Sequence, residues 1–237
     1  MFETLIAVVA FAGGVIASVA GFGIGSLITP ILAMQYGMKL AVAMVAIPHV
    51  AGTALRFWFL RKALDKHVLL TFGVTSAIGG LTGALLHAWI GGRYLAYILA
   101  ALLIFAGFTG VVGINLKFGR TGAWIAGALS GLLGGLVGNQ GGIRAGAMLG
   151  FDVPKESFVA TATAVGLLID GARLPVYLYT EGKELANVWP LIAGATVAVL
   201  VGTLVGRLIL GRIPEATFKR LVSGLILLLG ISMLFVS

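Results

Sequence analysis

The sequence predicts an all-α polytopic membrane protein made of two inverted repeats, each a broken or re-entrant helix followed by three transmembrane helices. Three observations lead there. Of 237 residues, 59% are hydrophobic and 10% are charged, whereas a soluble domain carries about 25% charged residues. The apolar residues gather into eight stretches of membrane-spanning length or more. Glycines recur at a nearly constant offset between the two halves. The mean hydropathy of +1.10 excludes an ordinary soluble enzyme and a disordered chain. The absence of cysteine excludes disulfides, thiolate metal sites and cysteine catalysis. The three histidines have no paired spacing, so neither a metal nor another cofactor is expected.

In chain order the stretches run over 2–35, 40–60, 68–90, 94–116, 121–150, 156–179, 187–210 and 217–236. Six have the length of one helical crossing of a ~30 Å hydrocarbon layer. The first and fifth, with 34 and 30 residues, would reach ~51 and ~45 Å as straight helices. Each contains a glycine cluster, Gly21-Phe22-Gly23-Ile24-Gly25 and Gly138-Asn139-Gln140-Gly141-Gly142. Glycine inside a helix costs roughly 1 kcal/mol relative to alanine, so both stretches are expected to break there. Pro30 further constrains the second part of the first stretch. Ser18-Val19-Ala20 has the look of a cleavage site, but Met1-Phe2-Glu3 lacks a basic leader. A retained segment is expected.

Gly52 and Leu55 match Gly171 and Leu174 at an offset of 119, which persists at Gly83/Gly202, Gly92/Gly211 and Arg93/Arg212. Gly14/Gly127 and Gly21/Gly134 match at 113, and Gly107/Gly230 at 123. The repeats are expected at 1–118 and 119–237, together forming one transporter domain. If all eight stretches crossed once, the basic residues would divide 6 against 7 between the two sides, with no positive-inside bias. If both long stretches are hairpins that leave on the side they entered, Lys39, Arg93 and Lys183 lie on one side and 10 basic residues on the other. This second arrangement puts both termini outside and leaves three crossings per half, an odd number, which makes the halves inverted. The net charge of +8 thus orients the chain in the membrane. It sits in short gaps without a basic stripe of interleaved aromatics, so no nucleic-acid partner is expected.

Irregular backbone survives in a bilayer only where protein buries it or it lines a wet cavity. Broken helices in corresponding positions of two halves therefore point to a central site. Half-helix N-termini there favour an anion. Gly23, Gly25 and Ser26 are expected on one side of it, and Asn139, Gln140, Gly141, Gly142 and Arg144 on the other. Arg144 is an ionisable group in an apolar stretch, able to pair with an anionic head group through its planar fork. Asn139 and Gln140 fit either ligand contacts or repair of the broken backbone. The GxxxG pair Gly202/Gly206 reads instead as close helix packing. His49 and Asp170 are candidates for proton coupling, and Asp170 also fits a structural pair with Arg173 three residues on. Arg56, near a helix end, is expected to snorkel. His87 has no evident partner.

Gly14-x6-Gly21-x-Gly23-x-Gly25-x4-Pro30-x-Leu32, its partial return at Gly127-Ala-Leu-Ser-Gly-Leu-Leu-Gly134 and the half-length duplication resemble the sulfite exporter TauE/SafE family, the toluene-sulfonate uptake permease group. The resemblance covers essentially the whole chain. It implies a prokaryotic inner-membrane carrier of sulfite, sulfoacetate or a related organosulfur anion, driven by an ion gradient. The sequence departs from the family pattern where Ile24 interrupts the glycine triplet and where the second repeat reads Gly138-Asn-Gln-Gly-Gly-Ile-Arg144. The expected partners are a small anion, the lipid membrane, a coupling proton and a second copy in a homo-oligomer. A passive anion channel and a membrane subunit of a larger complex are the alternatives. No carboxylate pair or nucleophile with a base at helical spacing is present, so an enzyme is not expected.

Overall fold

The computed structural model describes residues 1–21, 23–114, 120–139, 141, 144, 148, 154–209 and 215–234. The described elements are helical: α1 (Phe2–Ala20), α2 (Ile24–Tyr36) and α3 (Met38–Leu60), α4 (Lys66–Trp89), α5 (Gly92–Val112), α6 (Arg120–Val137), α7 (Lys155–Thr180), the short α8 (Gly182–Asn187), α9 (Trp189–Ile209) and α10 (Glu215–Met233). Among the described residues five helices are long and apolar enough to cross a membrane: Met38–Ala63, Lys66–Trp89, Gly92–Val112, Ser157–Thr180 and Trp189–Leu208. The fold is that of an all-α polytopic membrane protein.

The surface fits a bilayer. Leu70, Val74, Ile78, Leu81 and Leu85 are all exposed and follow one stripe of α4 at helical spacing. Such a stripe would be unfavourable in water and suits acyl chains. Exposed Trp89, Tyr94, Tyr179 and Trp189 gather at one set of helix ends, as amphipathic rings do at a membrane–water boundary. Trp58 lies toward the opposite face, where the guanidinium of Arg61 stacks 3.4 Å from its ring centroid.

Both long stretches break at their glycines and fold back. α1 ends at Gly21 in the left-handed conformation (φ 80°), and α6 ends at Gly138 (φ 73°). The rings of Phe2 and Tyr36 lie 6.1 Å apart, so the start of α1 and the end of α2 share a face. α6 runs parallel to α4: Gly79 meets Ala128 and Gly83 meets Leu132. The start of α7 lies beside the start of α4, where the Asp65 amide donates to Thr161 Oγ1 at 3.0 Å. The fifth stretch therefore also returns to the face it left. One hairpin opens where α3 begins, the other where α3 ends and α4 begins. This is the arrangement that segregates the basic residues.

Apolar burial does not drive helices together in lipid, where the solvent is as apolar as the side chains; close packing does. Here glycines bring backbones into contact. A Cβ on Gly14 would lie 2.3 Å from the Val199 carbonyl oxygen, and one on Gly83 would lie 2.0 Å from that of Leu132. Gly202 and Gly206 press on the carbonyls of Phe11 and Val15, which is the packing role expected of that pair. α5 and α10 meet reciprocally: Gly107 faces Leu227 and Gly230 faces Ile104 (107 to 230 and 104 to 227, 123 in each case). The expected match of Gly21 with Gly134 is corrected by the helix ends. The two terminating glycines are Gly21 and Gly138, one helical turn further on. Glycines recur at helical spacing through 127–138, so more than one register matches by sequence alone.

Candidate functional site

The two breaks touch. Gly23 has φ 138°, open to glycine and rarely to other residues. A side chain there would also strike Ile16, whose Cγ2 lies 2.7 Å from the Cβ position. A Cβ on Gly25 would stand 2.5 Å from the Gly138 carbonyl oxygen, so only glycine lets α2 approach the end of α6 this closely. Ser26 Oγ donates to Asn139 Oδ1 at 3.3 Å, joining the two breaks through side chains. The first bond into α2 runs from the Leu27 amide to the Gly23 carbonyl. The amides of Ile24, Gly25 and Ser26 therefore precede the helical ladder and carry its positive end.

A small polar cavity forms at this junction, lined by Gly23, Gly25, Ser26, His49, Gly138, Asn139, Gly141 and Arg144. Six residues expected at the site thus line one space: Gly23, Gly25, Ser26, Asn139, Gly141 and Arg144. Gln140 and Gly142 lie outside the described residues. His49, expected as a proton carrier, shares the wall. Gly138 lines it too, although the sequence marked it only as part of the cluster.

Arg144 is 3% exposed, and its Nη1 has no hydrogen-bond partner. Among the described residues no carboxylate forms an ion pair with it. The guanidinium occupies space left by Gly166, where a Cβ would stand 2.9 Å from Nη1 and 3.6 Å from Thr53 Cγ2. Thr53 Oγ1 is likewise buried without a partner. Gly166 and Thr53 carried no sequence signal beyond their place in apolar runs, because their role depends on a side chain arriving from another segment.

Behind the cavity lies a chain of paired charges. His49 Nδ1 is 2.7 Å from Asp170 Oδ2. Asp170 Oδ1 accepts from Arg173 Nε at 2.9 Å and forms an ion pair with Nη2 at 2.8 Å. The pairing of Asp170 with Arg173 is therefore present, and His49 extends it to the cavity wall. Arg173 Nη1 donates to the Gly134 carbonyl at 2.8 Å. The Tyr177 hydroxyl donates to the Gly135 carbonyl, and His87 Nδ1 meets the Leu136 carbonyl at 2.7 Å. A carbonyl only accepts, so Nδ1 carries the proton. His87 thus has a partner, contrary to the sequence reading. Arg56 does not snorkel: it is 7% exposed and donates to the Ala17 carbonyl. An end carbonyl of α1 attracts it more than the interface does. Among the described buried groups three arginines, Arg56, Arg144 and Arg173, face one carboxylate, Asp170. Among the described residues the fixed charge around the cavity is positive.

Fold and site define a polytopic membrane protein with a cationic cavity between two broken helices. A sequence profile of the sulfite exporter TauE/SafE family matches residues 5–233, and the chain belongs to that family. Members of this family are membrane transporters of sulfite and related sulfur anions. No curated protein and no solved structure matches the chain.

Proposed function

We propose that the protein exports a small sulfur oxyanion, sulfite or a C2 organosulfonate such as sulfoacetate, by ion-coupled alternating access, holding it between the two glycine breaks. The observation that carries this reading is the Nη1 of Arg144, buried and unpartnered beside the break. A buried arginine in a membrane costs roughly 2.5–3.5 kcal/mol on insertion scales. A hydrogen bond to a charged group returns about 1.5–3 kcal/mol, so an anion bound by this fork offsets much of the burial. The N-terminal amides of α2 and the side-chain NH2 of Asn139 offer an oxyanion further donors, while the Ser26 hydroxyl holds the Asn139 carbonyl oxygen and so orients that NH2.

The two halves, 1–118 and 119–237, act in this reading as inverted repeats that rock about the bound anion. The reciprocal contacts of α5 with α10 and the hairpins opening on opposite faces support it. The face bearing Arg61, Lys62, Lys66 and Arg207 is the cytoplasmic one of an inner membrane, by the positive-inside bias, and both termini lie outside. His49 and Asp170 carry the coupling proton, since His49 lines the cavity and also holds Asp170. The test is sulfite flux into proteoliposomes with and without an imposed pH gradient. Flux that rises with the gradient and is competed by sulfoacetate is expected. Sulfite flux indifferent to the gradient, without counterflow, would mean a channel instead.

A further inference from the structure

Each broken helix ends in the same three-part arrangement. At the end of α1 the Ala17 carbonyl accepts the Gly21 amide at 3.0 Å and also the guanidinium of Arg56. At the end of α6 the Gly134 carbonyl accepts the Gly138 amide at 3.0 Å and also the guanidinium of Arg173. Both arginines reach back 39 residues. Every member is displaced equally between the two sets (17 to 134, 21 to 138 and 56 to 173, 117 in each case). The starts of α3 and α7, Met38 and Lys155, are also 117 apart, so the offset of 119 expected from Gly52 and Gly171 is corrected by two residues in these helices. The arginines come from α3 and α7, the first full-length helix after each hairpin.

We propose that Arg56 and Arg173 are a matched pair of positioning residues: each fixes the last carbonyls of one broken helix, and together they set the spacing of the two breaks across the cavity. The carbonyl end of a helix carries partial negative charge, and a cation there is stabilising. In the hydrocarbon layer no bulk water is at hand to take that place. A guanidinium presents several donors in a rigid plane, so it fixes direction as well as charge. The glycine that follows each held carbonyl by four residues is where the chain turns into the site. Gly21 leads into Gly23, Gly25 and Ser26, and Gly138 leads into Asn139. Shifting either helix end would move one side of the Ser26–Asn139 joint against the other. The two differ in one respect: Arg173 is tied to Asp170 and through it to His49, so the second break also follows the charge of that pair. This proposal deepens the anion-site reading, and its spacing readout stands apart from anion binding.

The chain has no cysteine, so engineered pairs can be read directly. Ser26→Cys/Asn139→Cys reports the cavity, and Phe2→Cys/Tyr36→Cys reports the mouth of the same hairpin. Cross-linking with a short thiol-reactive linker, in the absence of sulfite, is compared in the parental, Arg56→Gln and Arg173→Gln backgrounds. Loss of a charge-assisted hydrogen bond implies a fall of roughly tenfold or more in cavity yield, with the mouth pair unchanged. Arg→Lys variants keep the charge without the planar fork and are expected to fall between parental and Gln. They carry the test if the Gln variants do not fold. Cavity yields equal to parental, or cavity and mouth yields falling together, overturn the proposal. Sulfite binding to the cysteine-free parent is measured separately. A parent that ignores sulfite while the cavity yield still depends on both arginines overturns the anion-site reading and leaves the positioning pair intact.

Discussion

His49 and Asp170 meet at 2.7 Å across the interface of α3 and α7, the first at the cavity wall and the second fully buried. The contact links the space between the breaks to the arginine that holds the end of α6. Replacing His49 by Gln keeps a neutral side chain of similar reach and removes the titratable ring. The expected outcome is a folded protein whose sulfite flux no longer responds to a pH gradient. Gradient-driven flux at parental strength in His49→Gln would remove His49 from coupling. Asp170→Asn is a different case, because it leaves Arg173 buried without its carboxylate. Breaking a buried pair from one side costs about 3–5 kcal/mol, so a clear drop in melting temperature is expected in detergent. An unchanged melting temperature would mean that Arg173 finds another partner.

Gly166 is expected to govern where Arg144 sits. An added methyl would stand 2.9 Å from Nη1, the far end of a flexible side chain. The guanidinium can shift, so Gly166→Ala should fold. Its sulfite affinity should fall about tenfold, equivalent to about 1.4 kcal/mol, because the fork is displaced from the cavity. Titration of the purified variant measures this, and parental affinity would mean that the contact with Gly166 does not place Arg144.

The helix-packing glycines should divide into two classes by what they face. At Gly83 a side chain would run into the Leu132 backbone, which cannot swing aside. Gly83→Val is expected to abolish a monodisperse folded peak in size-exclusion chromatography. Gly171 has nothing within 4 Å of a Cβ, so Gly171→Ala should be tolerated and should gain about 0.5–1 kcal/mol from helix propensity. A well-behaved Gly83→Val would contradict the close approach of α4 and α6.

The proposed orientation is open to a labelling test. A single cysteine replacing Lys183, beside the exposed aromatic ends, should react with an impermeant maleimide added to intact cells. One replacing Lys62, on the basic face, should react only after permeabilisation. The reverse pattern would invert the orientation and leave the fold unaltered.

Much of this architecture was legible in the sequence because it rests on local chemistry. Glycine clusters in segments too long for one crossing marked both breaks, and the charge distribution favoured hairpins over straight crossings. Six of the expected wall residues converge because they flank those breaks in the chain. What escaped was long-range. Arg56 looked like a snorkelling residue because hydropathy records distance from a helix end and not which carbonyl a neighbouring helix offers. His87, Tyr177 and Gly166 act only through segments that arrive from elsewhere. The register of the first helices was misread by one turn because glycines at helical spacing match one another at several offsets.

The central claim is that an oxyanion binds between the two breaks against Arg144. The most direct measurement is sulfite binding and sulfite flux for the parent and for Arg144→Ala, each shown to be folded and monodisperse. The account predicts that the parent binds and transports sulfite and that Arg144→Ala keeps its fold and loses both. Full sulfite transport by Arg144→Ala would contradict it.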